Sequence, residues 1–225
     1  MNDKIRQLIH IANRWLKNPA SFGINEALKY SDELLLELQE CLGETPEARK
    51  SIGPLIGQIS GMQKKLKNIE LLSWIGIRGG RIAIGHRPGT KLIADIRLQG
   101  GSHVFTLLSQ TEGARAIEKH AKKEKLCWLW FPMNSASPPG EDRIPELRSI
   151  FADMSAALEN GASVYIHCSA GIHRTGMVTY GFLRYIGLPP EEARKRLKDL
   201  RDATSENVGE NRLSWGDRFG MTEDI

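Results

Sequence analysis

From about Leu72 onward, short apolar segments of strand length alternate with amphipathic segments of helical length. Such a run favours one sheet covered by helices, because a helix can return the chain to the start of the next parallel strand. The predicted strands are Arg81 to Gly85, His103 to Leu108, Leu126 to Phe131 and Ser163 to His167. The predicted helices are Lys91 to Leu98, Glu112 to Lys125, Arg143 to Asn160, Thr175 to Ile186 and Pro190 to Arg201. We therefore expect an α/β fold with a central, mostly parallel sheet flanked by helices.

The first seventy residues show helical periodicity instead. Apolar residues from Ile5 to Trp15 share one helical face, and a second helix is predicted from Ile24 to Leu42. Because Pro54 interrupts the run that follows, we expect a further helix from Pro54 to Asn68. These patterns predict a helical N-terminal extension or module over residues 1–70 and a second domain over residues 71–225. The extension either covers the main domain or binds a protein partner.

Charge and composition exclude several classes of protein. The chain has 31 basic and 27 acidic residues, and neither part has the basic excess of a dedicated nucleic-acid binder. No run of eighteen apolar residues occurs, so no membrane span is expected, and the N-terminal residues lack a secretory cleavage site. The three cysteines, Cys41, Cys127 and Cys168, suggest no disulfide framework. We expect a cytoplasmic protein without a nucleic-acid partner.

Residues 167–176, with the sequence His-Cys-Ser-Ala-Gly-Ile-His-Arg-Thr-Gly, follow an apolar strand and open a helix. In α/β sheets, ligands bind beyond the carboxyl ends of the strands, where the next helix presents unpaired N–H groups and partial positive charge. A loop freed by Gly171 and Gly176 can place its amides around one phosphate-sized anion. The Arg174 guanidinium can hold two oxygens of that anion. The segment therefore predicts a phosphate site.

The same surroundings favour a reactive thiolate at Cys168. A free thiol with a pKa of about 8.5 is only slightly ionised at pH 7, whereas helix N-termini and cations lower that pKa to ~3.5–7.5. We expect Cys168 to be a nucleophile for phosphorus. The Thr175 hydroxyl is expected to donate to the sulfur when it leaves again, and His167 to orient the loop.

These residues resemble the protein tyrosine phosphatase superfamily, whose motif is His-Cys, five residues, and then Arg followed by Ser or Thr. The resemblance covers roughly residues 80–200 and is greatest for compact dual-specificity-type members. It implies a tyrosine-phosphatase-like sheet, a phosphocysteine on Cys168, phosphoryl oxygens bound by Arg174, and no metal or cofactor. It also implies an anion cradle made by the backbone amides of Ser169, Ala170, Gly171, Ile172, His173 and Arg174.

The loop after Trp-Phe-Pro departs from the family's pattern. The family places an aspartate there to protonate the leaving oxygen, but this chain has Ser135 at about that position. Asp142 is the first candidate for the acid, Glu141 the second and His173 the third. An acidic pair at a helix start also stabilises the helix dipole, whatever the chemistry. If no residue replaces the aspartate, phosphotyrosine or a phosphoanhydride is favoured over phosphoserine, since its leaving group is the more stable anion.

The sequence thus favours a cysteine phosphatase that acts on phosphate monoesters, with protein phosphotyrosine as the substrate and dual specificity open. One alternative is a phosphate-binding pseudoenzyme that works through residues 1–70. Another is a phosphatase for inositol phosphates or pyrophosphates, or another small polyanion, which His173 before the arginine suggests by its similarity to a fungal and plant branch. A rhodanese-like sulfurtransferase is opposed by the five-residue gap between Cys168 and Arg174. Expected partners are a phosphorylated protein or small phosphorylated substrate, and a protein partner for residues 1–70.

Overall fold

The computed structural model describes residues 3–19 and 23–220. The chain divides into two compact units. One comprises Met1–Glu70 with Leu98–Gly100, and the other comprises Leu71–Arg97 with Gly101–Ile225. Across the described residues, no helix has both the length and the apolar character needed to cross a membrane.

The first unit contains three helices, α1 (Asp3–Lys17), α2 (Ile24–Glu44) and α3 (Arg49–Lys67), with a 3₁₀ turn at Pro46–Ala48. Apolar residues at helical spacing turn inward from all three and form one core. Within this unit, the Gln63 side-chain amide on α3 donates 2.8 Å hydrogen bonds to Ser31 Oγ and to Asp32 Oδ1 on α2. These bonds fix the register of α2 against α3.

The prediction that a helix begins at Pro54 is wrong, because α3 begins at Arg49 and continues through the proline. Pro54 has no N–H, so the helix loses one hydrogen bond to the carbonyl four residues earlier. Its ring is exposed, while Ile52, Leu55 and Ile59 on the opposite side are buried. Burial of these three side chains outweighs the missing bond.

The second unit is built on a five-stranded sheet with the order β1-β2-β5-β3-β4. The strands are β1 (Ile75–Ile77), β2 (Gly80–Gly85), β3 (His103–Leu108), β4 (Cys127–Met133) and β5 (Ser163–His167). All neighbouring pairs are parallel except β1 with β2. Sequence periodicity does not predict β1, because three residues are too short to show an alternation.

Helices cover both faces of this sheet. The helices of this unit are α4 (Thr90–Leu98), α5 (Ala114–Lys123), α6 (Ile144–Glu159), α7 (His173–Tyr185), α8 (Pro190–Leu200), α9 (Asp202–Asn207) and α10 (Glu210–Gly216), of which α9 and α10 pack on α7. Two 3₁₀ turns lie at Glu141–Arg143 and Asp217–Phe219. The predicted α/β fold with a mostly parallel sheet and a helical N-terminal region is confirmed. The sequence analysis does not predict α9 and α10, because each is too short to show a helical period.

Two cores follow from the alternation of side chains along each strand. On β5, Val164 and Ile166 enter the core beneath α6, α7 and α8, whereas Tyr165 enters the core beneath α4 and α5. The same alternation holds on β2 and β3. Because both faces are covered, the buried positions of these strands are mostly apolar, as is typical of parallel sheets. The carboxyl ends of β2, β5, β3 and β4 therefore share one edge, with β5 between two partners.

We predict that Phe151→Ala lowers the free energy of unfolding by about 3–5 kcal/mol, because it leaves a cavity in the larger core. Phe151 is fully buried and packs on Phe182 and Phe219, with ring centroids 5.4 and 5.1 Å away. Urea unfolding followed by circular dichroism measures the change. Asp153→Ala, an exposed change on the same helix, serves as the control and is expected to stay within about 0.5 kcal/mol. A loss below about 1 kcal/mol for Phe151→Ala would contradict this account of the core.

Candidate active site

The loop between β5 and α7 brings the cysteine to the shared edge of the sheet. Cys168 follows β5 directly and is 3% exposed, and its Sγ accepts a hydrogen bond from the Gly171 N–H at 3.3 Å. Gly171 has a φ of +72°, and a Cβ there would lie 2.2 Å from the carbonyl carbon of Gly85. Only glycine fits both the backbone angle and this contact. The close approach of the loop to β2 therefore depends on Gly171.

The environment of Cys168 stabilises its thiolate. Burial raises the pKa of the thiol, but hydrogen bonds from the Thr175 hydroxyl and from the amides of Thr175, Gly171 and Ile172 act in the opposite direction. The net result is a pKa below the ordinary value for cysteine. The Thr175 hydroxyl is buried and makes no other hydrogen bond among the described residues. The Cys168 sulfur is therefore the acceptor available to it.

Arg174 lies in the first turn of α7 and is held by a bidentate ion pair. Its Nη1 donates to Glu112 Oε2 at 2.6 Å and its Nη2 to Glu112 Oε1 at 2.7 Å. Nη1 also donates to the Met133 carbonyl at 2.8 Å and, more weakly, to the Leu107 carbonyl at 3.4 Å. The register between β3 and β4 shifts between Thr106 and Leu108, so the Leu107 carbonyl lies at a bulge. The guanidinium thus joins the ends of both strands.

Glu112 is a site residue that sequence reasoning misses. The sequence places it at the start of a predicted helix, but α5 begins at Ala114 and Glu112 belongs to the turn before it. The Ser109 N–H donates to Glu112 Oε2 at 2.9 Å. The hydrogen bond from Arg174 lowers the pKa of Glu112 to about 2, opposed by burial and assisted by Ser109. No local signal distinguishes this glutamate, because its partner lies 62 residues further along the chain.

His167 is fully buried in a chain of hydrogen bonds whose direction is fixed. Burial lowers the pKa of His167 to about 3, so its ring is neutral. Its Nδ1 faces the Cys168 carbonyl at 3.1 Å, which only accepts, so Nδ1 carries the proton. Its Nε2 therefore accepts from the Thr106 hydroxyl at 2.9 Å, and Thr106 accepts from the Trp128 indole at 2.9 Å. This arrangement orients the loop and leaves His167 no proton to exchange with a substrate.

A cavity of about 170 Å³ opens above the cysteine. It is lined by Asn134, Ser135, Ala136, Cys168, Ser169, Ala170, His173 and Arg174. The fold thus brings together most of the residues that the sequence proposes for an anion site. Gly171 and Ile172 complete the loop with amides that reach the sulfur, and Thr175 lies behind it.

The three candidate acids are placed differently. Glu141 and Asp142 lie in the 3₁₀ turn before α6, are exposed, and are not among the residues that line the cavity. Glu141 forms an ion pair with Arg218. Of the three, only His173 lines the cavity. Ser135 also lines it, and its Oγ accepts a hydrogen bond from the Ser137 N–H at 3.1 Å.

We predict that Glu112→Gln destabilises the protein by about 1–3 kcal/mol at pH 7, because the buried Arg174 loses its counter-charge. The folded-state pKa of Glu112 is lowered from 4.5 to about 2, so its contribution is present in full above pH 4.5. The contribution is lost as the pH falls toward 2. Urea unfolding of wild type and variant at a series of pH values measures it.

The control for this series is Glu206→Gln, since Glu206 is exposed and forms no ion pair within the described part of the chain. Its stability is expected to follow that of wild type at each pH. A gap between wild type and Glu112→Gln that stays constant down to pH 2 would rule out this ionic contribution.

Comparison with known proteins shows what the region around this site is similar to. Residues 107–195 match the family model described as the tyrosine phosphatase family. Laforin from Mus musculus is 37% identical over 65 residues, which are 29% of this chain and 19% of laforin. The matched part is therefore far less than two thirds of that relative.

Solved structures share the fold of about two thirds of this chain at low sequence identity. Tk-PTP in its active form has a TM-score of 0.54 at 21% identity, over 65% of this chain and 94% of that chain. Kinase associated phosphatase, with its catalytic cysteine replaced by serine, has a TM-score of 0.58 at 17% identity, over 67% and 94%. PTPMT1 has a TM-score of 0.53 at 20% identity, over 65% and 93%. The family match spans β5, the cysteine loop and the start of α8, so this part of the chain is similar to the tyrosine phosphatase family.

Proposed function

We propose that this chain hydrolyses phosphate monoesters through a phosphocysteine intermediate on Cys168. The observation that carries the proposal is the environment of the Cys168 sulfur. It lines the cavity, and hydrogen bonds around it lower the pKa of the thiol. The thiolate is the nucleophilic form, so this environment favours the form of Cys168 that attacks phosphorus. The substrate is a phosphorylated protein or a small phosphorylated molecule.

In the first step, the Cys168 thiolate forms a bond to phosphorus while the bond from phosphorus to the leaving oxygen breaks. The leaving oxygen takes the electron pair of the broken bond and then a proton. The backbone amides from Ser169 to Arg174 donate to the phosphoryl oxygens, on which charge is spread in the transition state. These donors are part of a fixed loop, so little reorganisation is needed during the reaction.

Arg174 supports the same step with one edge of its guanidinium. Nη1 and Nη2 donate to Glu112, which leaves Nε and the second N–H of Nη2 for two phosphoryl oxygens. The hydrogen bond to Glu112 raises the pKa of Arg174 against the effect of burial, so the group stays charged. Because Glu112 fixes the plane of the guanidinium, its remaining edge is oriented in advance.

In the second step, water attacks the phosphorus of the phosphocysteine. The sulfur–phosphorus bond breaks, inorganic phosphate leaves, and the sulfur takes the electron pair as a thiolate. The Thr175 hydroxyl stabilises this leaving group by donating to it, in line with its effect on the pKa of Cys168. His167 stays neutral and positions the loop through the Cys168 carbonyl.

We place protein phosphotyrosine first among the substrates, with dual specificity open. Ser135 lines the cavity where the family carries its acid, and a serine hydroxyl is a poor proton donor. A phenolate with a pKa of about 10 depends less on an acid to leave than an alkoxide near ~15.7, so phosphotyrosine is the substrate less affected by an acid that lies outside the cavity. A small polyanion such as an inositol phosphate is the second candidate. Three exposed cationic or titratable side chains at the loop favour it, namely His86, Arg87 and His173.

Asp142 is retained as the proposed acid. Because it does not line the cavity, this role requires the segment 134–140 to bring it over the bound phosphoryl group. Glu141, its neighbour, is bound to Arg218 and is a weaker candidate. His173 already lines the cavity and is the acid if Asp142 stays outside.

We predict that wild type hydrolyses para-nitrophenyl phosphate, that vanadate inhibits the reaction, and that Cys168→Ser falls to the background rate. The aryl ester leaves easily, so a weak acid does not mask the nucleophile. Cys127→Ser is the matched control, because Cys127 is exposed and begins β4, whereas Cys168 follows the end of β5. Turnover that survives in Cys168→Ser would overturn the mechanism. Phosphate binding by a folded, reduced wild type without turnover would favour the pseudoenzyme.

We further predict a higher kcat/KM for a phosphotyrosine peptide than for the phosphoserine peptide of the same sequence. Asp142→Asn is expected to lower kcat on the phosphotyrosine peptide by about 10²–10⁴-fold, the usual worth of a general acid, and to affect para-nitrophenyl phosphate less. Glu141→Gln is the matched control, since it removes a neighbouring carboxylate. An unchanged kcat in Asp142→Asn together with a loss in His173→Gln would transfer the role to His173. A phosphoserine preference would contradict the substrate proposal.

A further inference from the structure

Three consecutive carbonyl groups of the cysteine loop accept hydrogen bonds from residues outside the loop. The Ser169 carbonyl accepts from the Arg87 N–H at 2.9 Å. The Ala170 carbonyl accepts from Arg201 Nη1 at 3.3 Å. The Gly171 carbonyl accepts from Arg201 Nη1 at 3.0 Å and from the Thr204 hydroxyl at 2.6 Å. Three consecutive peptide units are therefore anchored on their oxygen side.

Anchoring the oxygens sets the direction of the N–H groups. The described residues contain no cis peptide bond, and in a trans peptide the carbonyl of one residue points opposite to the N–H of the next. Outward carbonyls at Ser169, Ala170 and Gly171 therefore turn the N–H groups of the residues that follow toward the cysteine. Two of those amides, from Gly171 and Ile172, act on the Cys168 sulfur.

Such a cradle needs external support. N–H dipoles that converge on one point repel one another, and rotating a single peptide would relieve that repulsion. Gly171, at a φ of +72°, offers little resistance to rotation, because glycine populates both halves of the φ range with similar ease. The residues that bind the Ala170 and Gly171 carbonyls oppose such a rotation.

Both side-chain donors come from the junction of α8 and α9. Arg201 has extended backbone angles, ends α8 and precedes α9, which carries Thr204. Thr204 is fully buried, and its hydroxyl also accepts from Arg201 Nη1 at 3.3 Å. Its Cγ2 would lie 3.0 Å from a Cβ at Gly176, so its methyl group packs on α7. Arg201 forms no ion pair with a carboxylate of a described residue, and its Nη1 serves the loop.

We infer that Arg201 and Thr204 are positioning residues that hold the amides of the cysteine loop in the phosphate-binding orientation. The inference rests on the proposed function, in that the loop is taken to bind phosphoryl groups. Neither residue touches the reacting atoms, and both act through the carbonyls of Ala170 and Gly171. The expected consequence of their loss is weaker binding of a phosphate-like anion in a folded protein.

A reciprocal pair of substitutions separates the hydrogen bond of Thr204 from its packing. Thr204→Val keeps the shape and the methyl contact but has no hydroxyl, whereas Thr204→Ser keeps the hydroxyl and loses the methyl group. We expect Thr204→Val to weaken phosphate binding about 3- to 10-fold, the usual worth of one hydrogen bond. Thr204→Ser is expected to retain most of the binding. A purely structural role for Thr204 would give the opposite order.

Arg201 is tested in the same way. Arg201→Met removes the donors, and Arg201→Lys restores one compact donor, so the lysine variant is expected to recover part of the binding. Lys198→Met is the matched control, because Lys198 is exposed on α8 three residues before Arg201 and its loss removes the same charge. A loss in Lys198→Met equal to that in Arg201→Met would assign the effect to net charge and overturn the role of Arg201.

The measurement is the rate of alkylation of Cys168 by iodoacetamide and its protection by inorganic phosphate, with circular dichroism to verify folding. The concentration of phosphate that halves the rate reports binding without turnover. Separate steady-state assays of the same variants with para-nitrophenyl phosphate are expected to show a raised KM. If wild type is protected by phosphate but hydrolyses nothing, the proposed function fails while the positioning role is still tested. If folded Thr204→Val needs no more phosphate than wild type, the inference is overturned.

Discussion

One buried guanidinium joins the helix after the cysteine loop to the ends of two other strands and to a distant carboxylate. Arg174 starts from α7, just after β5, and reaches the carbonyl ends of β3 and β4 and the carboxylate of Glu112. The sheet makes this meeting possible, because parallel strands end at one edge. A cation placed there is costly unless its donors find partners, and Glu112 with the two carbonyls accepts from both N–H groups of Nη1 and from one of Nη2. The position of the cysteine loop depends on this arrangement.

The protonation of each titratable group around the cysteine loop follows from its burial and its hydrogen bonds. The deeply buried His167 is neutral, the partly exposed Glu112 is ionised beside Arg174, and the Cys168 thiol has a lowered pKa among hydrogen-bond donors. The neutral histidine matters as much as the charged groups, since a fixed tautomer gives the Cys168 carbonyl a permanent donor. The loop is thus held from beneath by His167 and from outside by Arg201 and Thr204.

The sequence predicts the part of the site that is contiguous in the chain, but it does not predict the residues that reach the site from elsewhere in the chain. The strand before Cys168, the glycine-rich loop and the helix after it are contiguous, so their order already predicts the fold class and an anion site. Glu112 and Thr204 pair with the loop across 62 and 33 residues, and nothing in their own neighbourhoods marks them. Pro54 shows another limit of sequence-based prediction. A proline predicts a helix boundary, but here the helix continues through it because apolar packing outweighs the lost hydrogen bond.

The contact of Gly171 with β2 also bears on how this site can change over generations of mutation. A side chain at Gly171 would meet the backbone of Gly85, and one at Gly85 would meet the Tyr165 hydroxyl at 2.3 Å, so neither position can vary by itself. Single substitutions at these two glycines are therefore not tolerated in the candidate anion site. Asn134 and Ser135 line the cavity and are exposed, so diversity among descendants of this chain should accumulate there.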